Sequence, residues 1–215
     1  MEHLRNHEKT GIMVNAGEFN NLDSDSLKKH VILLQEHFLF NALNTIKGAV
    51  ILKRSEALQL VDDFAVCLRY QFQCIRSIGQ MSFSNECQFL KFYLSMEQMR
   101  FPGISVEWDV QEASIFVPPM CTSILLSKSI RECTISSEKK VKISGRWEKD
   151  SYIFQIWNSV DQNSSVYDDS IEETRKTVAL WWKVQSGAEL CWEKQGEGIL
   201  LTASIPRVEQ GGGCE

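Results

Sequence analysis

His37-Phe38-Leu39-Phe40-Asn41-Ala42-Leu43-Asn44-Thr45-Ile46 is the stretch whose reading decides the fold. As a helix it carries two stripes. Leu39, Leu43, Ile46 and Val50 recur at intervals of 4, 3 and 4 residues, an apolar line down one side. His37, Asn41, Asn44 and Gly48 recur at the same intervals on a neighbouring face. One imidazole therefore heads a polar stripe on a helix that needs a partner. An imidazole near neutral pH can act as a nucleophile or a metal ligand. The amides of Asn41 and Asn44 can hydrogen-bond it, or an anion held on it. A lone helical histidine is more often structural, and Phe38, Leu39, Phe40 and Leu43 have core value of their own.

Working outward, Asp23-Ser24-Asp25-Ser26 is a run of N-cap residues, so helix one runs from there to about Lys53. His30 lies seven residues before His37 on the same stripe and reads as a surface histidine. Ser55 can cap a second helix in which Leu58, Val61, Ala65, Leu68 and Phe72 alternate three and four apart. Two such helices make an antiparallel hairpin. Its two apolar edges cannot both be buried alone, so a homodimer with a four-helix bundle is the expected solution. Ser77-Ile78-Gly79-Gln80 breaks the pattern, and a third helix spans Ser84 to about Phe101, ended by Pro102-Gly103.

Strand signals follow at 104–110 and 114–117, then a helix opened by Pro118-Pro119 and running to about Cys133. Further strands are expected at 140–147 and 152–157, a polar loop at 161–170, a helix at 171–185, and strands at 188–194 and 198–205. This order fits an α/β sandwich. The fold class is α+β: an arm (1–22), a dimerising hairpin (23–80), a sandwich (81–208, with 81–101 a connecting helix) and a frayed tail (209–215). Lys139, Lys140 and Lys142 read as a solvated strand edge. Glu172, Glu173, Arg175 and Lys176 read as an exposed helix face, and one of Trp181 and Trp182 as core.

With 43% hydrophobic and 24% charged residues, the 215-residue chain has the composition of an ordinary globular protein. A net charge of −5 leaves no basic surplus for neutralising phosphates, so nucleic acid is not expected as a partner. No apolar run approaches the roughly 18 residues of a membrane span, and the polar N-terminus lacks the apolar core of a signal peptide. The seven cysteines (67, 74, 87, 121, 133, 191 and 214) form no CxxC pair and no zinc spacing. Buried thiols in a reducing cytoplasm are the expectation.

The stretch 37–46 resembles the phosphoacceptor motif of the LytS/YehU class of bacterial sensor histidine kinases, in which the His of HFLFN is phosphorylated. That residue is His37 here. The resemblance continues through Ser82-Phe83-Ser84-Asn85-Glu86, through Phe89 to Glu97, Arg100-Phe101 and Val117-Pro118-Pro119, and so covers most of the chain. It implies a dimeric phosphotransfer bundle followed by an ATP-binding α/β sandwich. Where the class usually has Pro before the motif, this chain has Gln35-Glu36, which should leave helix one straighter.

At the nucleotide site the chain departs from its class. The Mg²⁺-coordinating Asn falls on Lys128, whose ammonium offers a metal no lone pair. The adenine-reading Asp and its neighbours fall on Trp157, Asn158 and Ser159. Trp157 cannot accept the adenine hydrogen bond, and its bulk is expected to fill the pocket. The glycine-rich loop falls on Val166 to Ile171, which has no glycine and carries Asp168 and Asp169. Gly196-Glu197-Gly198 retains part of a last motif.

The resemblance with these departures implies a histidine phosphotransferase. His37, aided by Asn41 and Asn44, would exchange a phosphoryl group with response-regulator receiver domains, without ATP-driven autophosphorylation. No cofactor is expected, the Mg²⁺ coming from the regulator. The alternatives are a non-catalytic pseudokinase that binds a regulator or a kinase, and an active kinase with a rewired nucleotide site.

Overall fold

The computed structural model describes residues 24–76, 80–101, 103–132, 139–159 and 169–207, with the backbone alone at 24–37, 75–76, 127–132 and 169–174. The arm and tail expected at the two ends lie outside the described residues, as do Ser77-Ile78-Gly79, Pro102 and most of the loop at 161–170.

Helix α1 (Ser24–Ile51) turns back into α2 (Ala57–Arg76). The turn is a Schellman motif. Arg54 N–H donates to Ala49 O (2.9 Å) and Lys53 N–H to Val50 O (3.0 Å), with Lys53 left-handed at φ 51°. Phe38, Ala42 and Ala49 of α1 face inward, as do Leu60, Cys67, Tyr70, Gln71 and Cys74 of α2. The expected α2 stripe is left uncovered in the single chain: Leu58, Val61, Ala65 and Phe72 are exposed and Leu68 is half-buried. On α1, Leu43 and Val50 are exposed, and Leu39 and Ile46 half-buried.

The hairpin packs on α3 (Phe83–Arg100), which joins it to the sandwich. Ser82 caps α3, its hydroxyl accepting from Asn85 N–H at 3.3 Å. Just before it, β1 (Met81–Ser82) pairs antiparallel with β3 (Phe116–Val117), a ladder too short to show a period in the sequence. Helix α3 is buried on two sides. Phe83 stacks edge-on against Tyr152 and Phe154 of the sheet (centroids 5.2 and 5.1 Å), while Phe89, Phe92 and Tyr93 surround Phe38 of the hairpin.

The remaining elements are β2 (Ile104–Val110), α4 (Cys121–Glu132), β4 (Lys139–Glu148), β5 (Ser151–Ser159), α5 (Asp169–Ser186), β6 (Glu189–Gln195) and β7 (Gly198–Pro206). They build one sheet in the order β2-β4-β5-β7-β6. Pair β2–β4, joined through α4, is parallel, and every other pair is antiparallel. In β5 the helix-facing residues Tyr152, Phe154, Ile156 and Asn158 are buried and their alternates half-buried, so one face of the sheet carries the helices. Trp182 of α5 is fully buried.

Two surface expectations are corrected. Strand β4 lies between β2 and β5 rather than at an edge. Its Lys139 is buried over the Phe101 ring (4.8 Å), and Lys142 pairs with Glu107 (2.9 Å). Arg175, assigned to an exposed face, is buried with its guanidinium over Trp192 at 5.7 Å.

Candidate functional site: the phosphoacceptor helix and its supports

His37 lies in the body of α1, one residue before Phe38; its side chain is outside the described residues. Phe38 fixes this helix. Its ring is 7% exposed and packs on Phe89, Phe92 and Tyr93 of α3, with centroids 5.4, 6.0 and 5.9 Å away. Asn41 is half-buried, and its carbonyl accepts from the Thr45 hydroxyl at 2.9 Å. Asn44 is exposed. Gly48 has open space where a Cβ would stand, so packing does not demand glycine there. The polar stripe therefore flanks the buried Phe38 face, and Phe40, at 69% exposed, lies on the far side.

The nucleotide-site positions divide between the two faces of the sheet. Asn158 is buried on the helix-facing side of β5. Trp157 is on the opposite side. It lines an open-face depression of about 410 Å³ with Lys142, Ser144, Gln155, Gln195 and Leu200. Its indole N–H donates to Gln195 O at 3.2 Å. The Ser159 hydroxyl accepts from Lys140 N–H at 2.9 Å, a bond within the sheet. Lys128 lies in α4, with its side chain outside the described residues.

The two late glycines have local reasons for being glycine. Gly196 sits at φ +61° in the two-residue turn that closes β6 on β7. A Cβ on Gly198 would stand 2.4 Å from a Trp157 ring carbon and 2.5 Å from Asn158 O, so the indole lies flat only over glycine. Among the described residues, no group of three or more His, Cys, Asp or Glu could hold a metal ion, and no helix is long and apolar enough to cross a membrane.

One functional-looking cluster escaped the sequence reading. Glu86 of α3 is fully buried. Its Oε2 accepts from the Tyr70 hydroxyl of α2 and from Met120 N–H (2.9 Å); its Oε1 accepts from Thr122 N–H (3.0 Å) and the Thr122 hydroxyl (2.5 Å). The Cys121 thiol lies 3.8 Å from Oε1. Burial pushes the carboxyl up from its ordinary range, and the bonds from Thr122, Tyr70 and Met120 oppose that shift. Burial, then the charge of Glu86, pushes the Tyr70 hydroxyl up as well. The signal that could have found the cluster was an acidic residue in line with Leu90 and Tyr93, on the apolar side of α3.

The histidine kinase family model matches residues 27–104. The sensor protein LytS of Bacillus subtilis (strain 168) is 31% identical over 111 residues, covering 50% of this chain and 18% of the sensor. The YwpD protein of the same strain is 30% identical over 99 residues, covering 45% of this chain and 36% of that protein. The match thus spans well under half the length of either relative. The solved histidine kinase AdeS of Acinetobacter baumannii aligns with a TM-score of 0.47 at 15% identity, covering 86% of this chain and 98% of that one. The HFLFN helix lies inside the segment 27–104, over which the chain is similar to histidine kinases, LytS of Bacillus subtilis among them.

Proposed function

We propose that this chain is a histidine phosphotransferase of two-component signalling. A nitrogen of the His37 imidazole attacks the phosphorus of an aspartyl phosphate on a response-regulator receiver domain. The attacking nitrogen is the unprotonated one; the P–O bond to the aspartate breaks, the carboxylate leaves with its electron pair, and the proton on the other ring nitrogen passes to solvent as the neutral phosphoramidate forms. The reverse sequence delivers the phosphoryl group to a second receiver domain. The regulator supplies Mg²⁺ and its acidic pocket. The helix supplies position, which is most of what phosphoryl transfer asks of a protein. Asn41 and Asn44 orient the ring or the phosphoryl oxygens.

One observation carries the reading. The phosphoacceptor motif is intact at residues 37–41, whereas the positions that the resemblance assigns to nucleotide contacts hold Lys128, Trp157, Asp168 and Asp169. The exposed stripe of Leu43, Val50, Leu58, Val61 and Phe72 supports a homodimer in which a second hairpin covers it as a four-helix bundle. A pseudokinase that only docks a regulator or a kinase is the second reading. It is favoured by Phe38, whose burial against α3 gives part of the motif a packing role independent of chemistry.

The test offers the purified protein labelled Mg-ATP and, separately, receiver domains already carrying labelled aspartyl phosphate. Acid-labile, base-stable label is followed on His37, with His37→Ala as control. Label arriving only from a receiver domain is the expected result. Label arriving directly from ATP would make this an active kinase, and label from neither would favour the pseudokinase.

A further inference from the structure

The junction of hairpin and sandwich is organised around a single carboxylate. Met120 adopts a left-handed backbone (φ 58°) between Pro119 and the first turn of α4. This conformation turns the N–H groups of Met120 and Thr122 towards one point, as an anion-binding nest does. Glu86 occupies that point. The same carboxylate oxygen that takes Met120 N–H also takes the Tyr70 hydroxyl, and Met120 N–H lies 3.4 Å from the Tyr70 oxygen as well. Side chains from α2 and α3 thus converge on the start of α4.

The contacts continue to the phosphoacceptor helix. The Tyr70 ring stacks on Phe89 at 5.1 Å, Phe89 meets Phe38 at 5.4 Å, and Phe38 follows His37 in α1. Buried donors tied to a shared anion leave little room for α2 to turn while α4 stays still, because any shift strands a polar group away from water.

We propose that Glu86 is a positioning residue that indexes the hairpin to the sandwich. Bound to Tyr70 on one side and to the α4 amides on the other, it sets the attitude of α1 and α2 relative to α4. A tilt of the hairpin, on docking a partner or on phosphorylation, is transmitted to α4 through this point. The consequence for His37 rests on the phosphotransfer reading above, whereas the mechanical coupling does not.

Tyr70→Phe is the informative variant. It removes the α2 arm and leaves the carboxylate, the nest and Thr122 in place. Hydrogen exchange followed by mass spectrometry reads the α4 start (residues 120–126) and α2 separately in the full chain. Coupling predicts that Tyr70→Phe speeds exchange at the α4 start about tenfold, although that segment is unaltered. Thr122→Val should likewise loosen α2 around Tyr70. The double variant should behave like the worse single one, as members of one unit do. In the transfer assay all three variants should slow label arrival at His37 by a common factor. Exchange at the α4 start unchanged by Tyr70→Phe, or fully additive effects, would overturn the proposal. If wild-type His37 takes no label from any receiver domain, the phosphotransfer reading falls while the exchange arm still decides the coupling. Glu86→Gln, which sets an amide N–H₂ among donors, should exceed either single variant; if it does not fold, the two milder variants carry the test.

Discussion

Replacing Phe38 with alanine separates the packing role of the HFLFN stretch from the chemistry proposed for it. The ring is 7% exposed and meets three aromatic side chains of α3 at 5.4 to 6.0 Å. A buried Phe→Ala change costs about 3–5 kcal/mol, the upper part of that range applying where neighbours cannot collapse into the space. Phe89 and Tyr93 are themselves held, by Tyr70 and by the body of α3, so about 4 kcal/mol is expected. For a chain of this size that corresponds to a loss of about 8–16 °C in the thermal midpoint. Phe40→Ala, two residues on and 69% exposed, should cost under about 1 kcal/mol at the same protein concentration. Urea unfolding followed by far-ultraviolet circular dichroism measures both. A loss for Phe38→Ala below about 1 kcal/mol, or equal to that for Phe40→Ala, would refute the packing of α1 on α3 through this ring.

Three further outcomes follow from local geometry. Lys53 holds the left-handed position of the Schellman turn at φ 51°, so Lys53→Gly should stabilise the fold by about 1 kcal/mol in urea unfolding. Gly198→Ala should destabilise it by about 1–3 kcal/mol, and adding Trp157→Ala should restore only part of that, because the Asn158 carbonyl would still stand 2.5 Å from the new Cβ. Burial, then the charge of Glu86, pushes the Cys74 and Cys87 thiols up from 9.0 to about 12. A raised thiol favours the folded state only while neutral. Its contribution is complete below pH 9 and declines by about 1.4 kcal/mol per pH unit for each group as pH climbs towards 12. Urea midpoints should therefore fall above pH 9, and Cys74→Ala should make that fall shallower.

The order of elements was legible because its signals are local. N-cap residues, Pro102-Gly103, the paired prolines and the Gly196 turn each act within a few residues, and α1 to α5 and β2 to β7 appear where those signals place them. The histidine kinase relationship was legible for a similar reason, since the HFLFN stretch is contiguous. Pairing across distance was not: β3 carries a strand signal, but nothing in it names its two-residue partner β1, which has no period of its own.

The misread residues share a physical cause. A period shows which residues lie together, but it names the buried face only when the other face is polar. Helix α2 is apolar or thiol-bearing on two faces. The stripe from Leu58 to Phe72 marks one apolar face, and within the single chain the core takes the other, Leu60, Cys67, Tyr70 and Cys74. Strand β5 carries Ile153 and Trp157 on one face and Phe154 and Ile156 on the other, so alternation alone did not say which face the helices cover. Helix α3 meets the hairpin and the sheet at once, which buries Phe83, Phe89, Phe92 and Tyr93 around most of its circumference. Glu86 falls on this buried arc and not on the exposed stripe of Ser84, Gln88 and Lys91, so its burial is tolerable only where donors are supplied. Those donors come from residues 16, 34 and 36 positions away, at Tyr70, Met120 and Thr122. The feature that ties the hairpin to the sandwich is therefore one that no local pattern encodes, and it becomes readable only once three distant segments are brought to the same point.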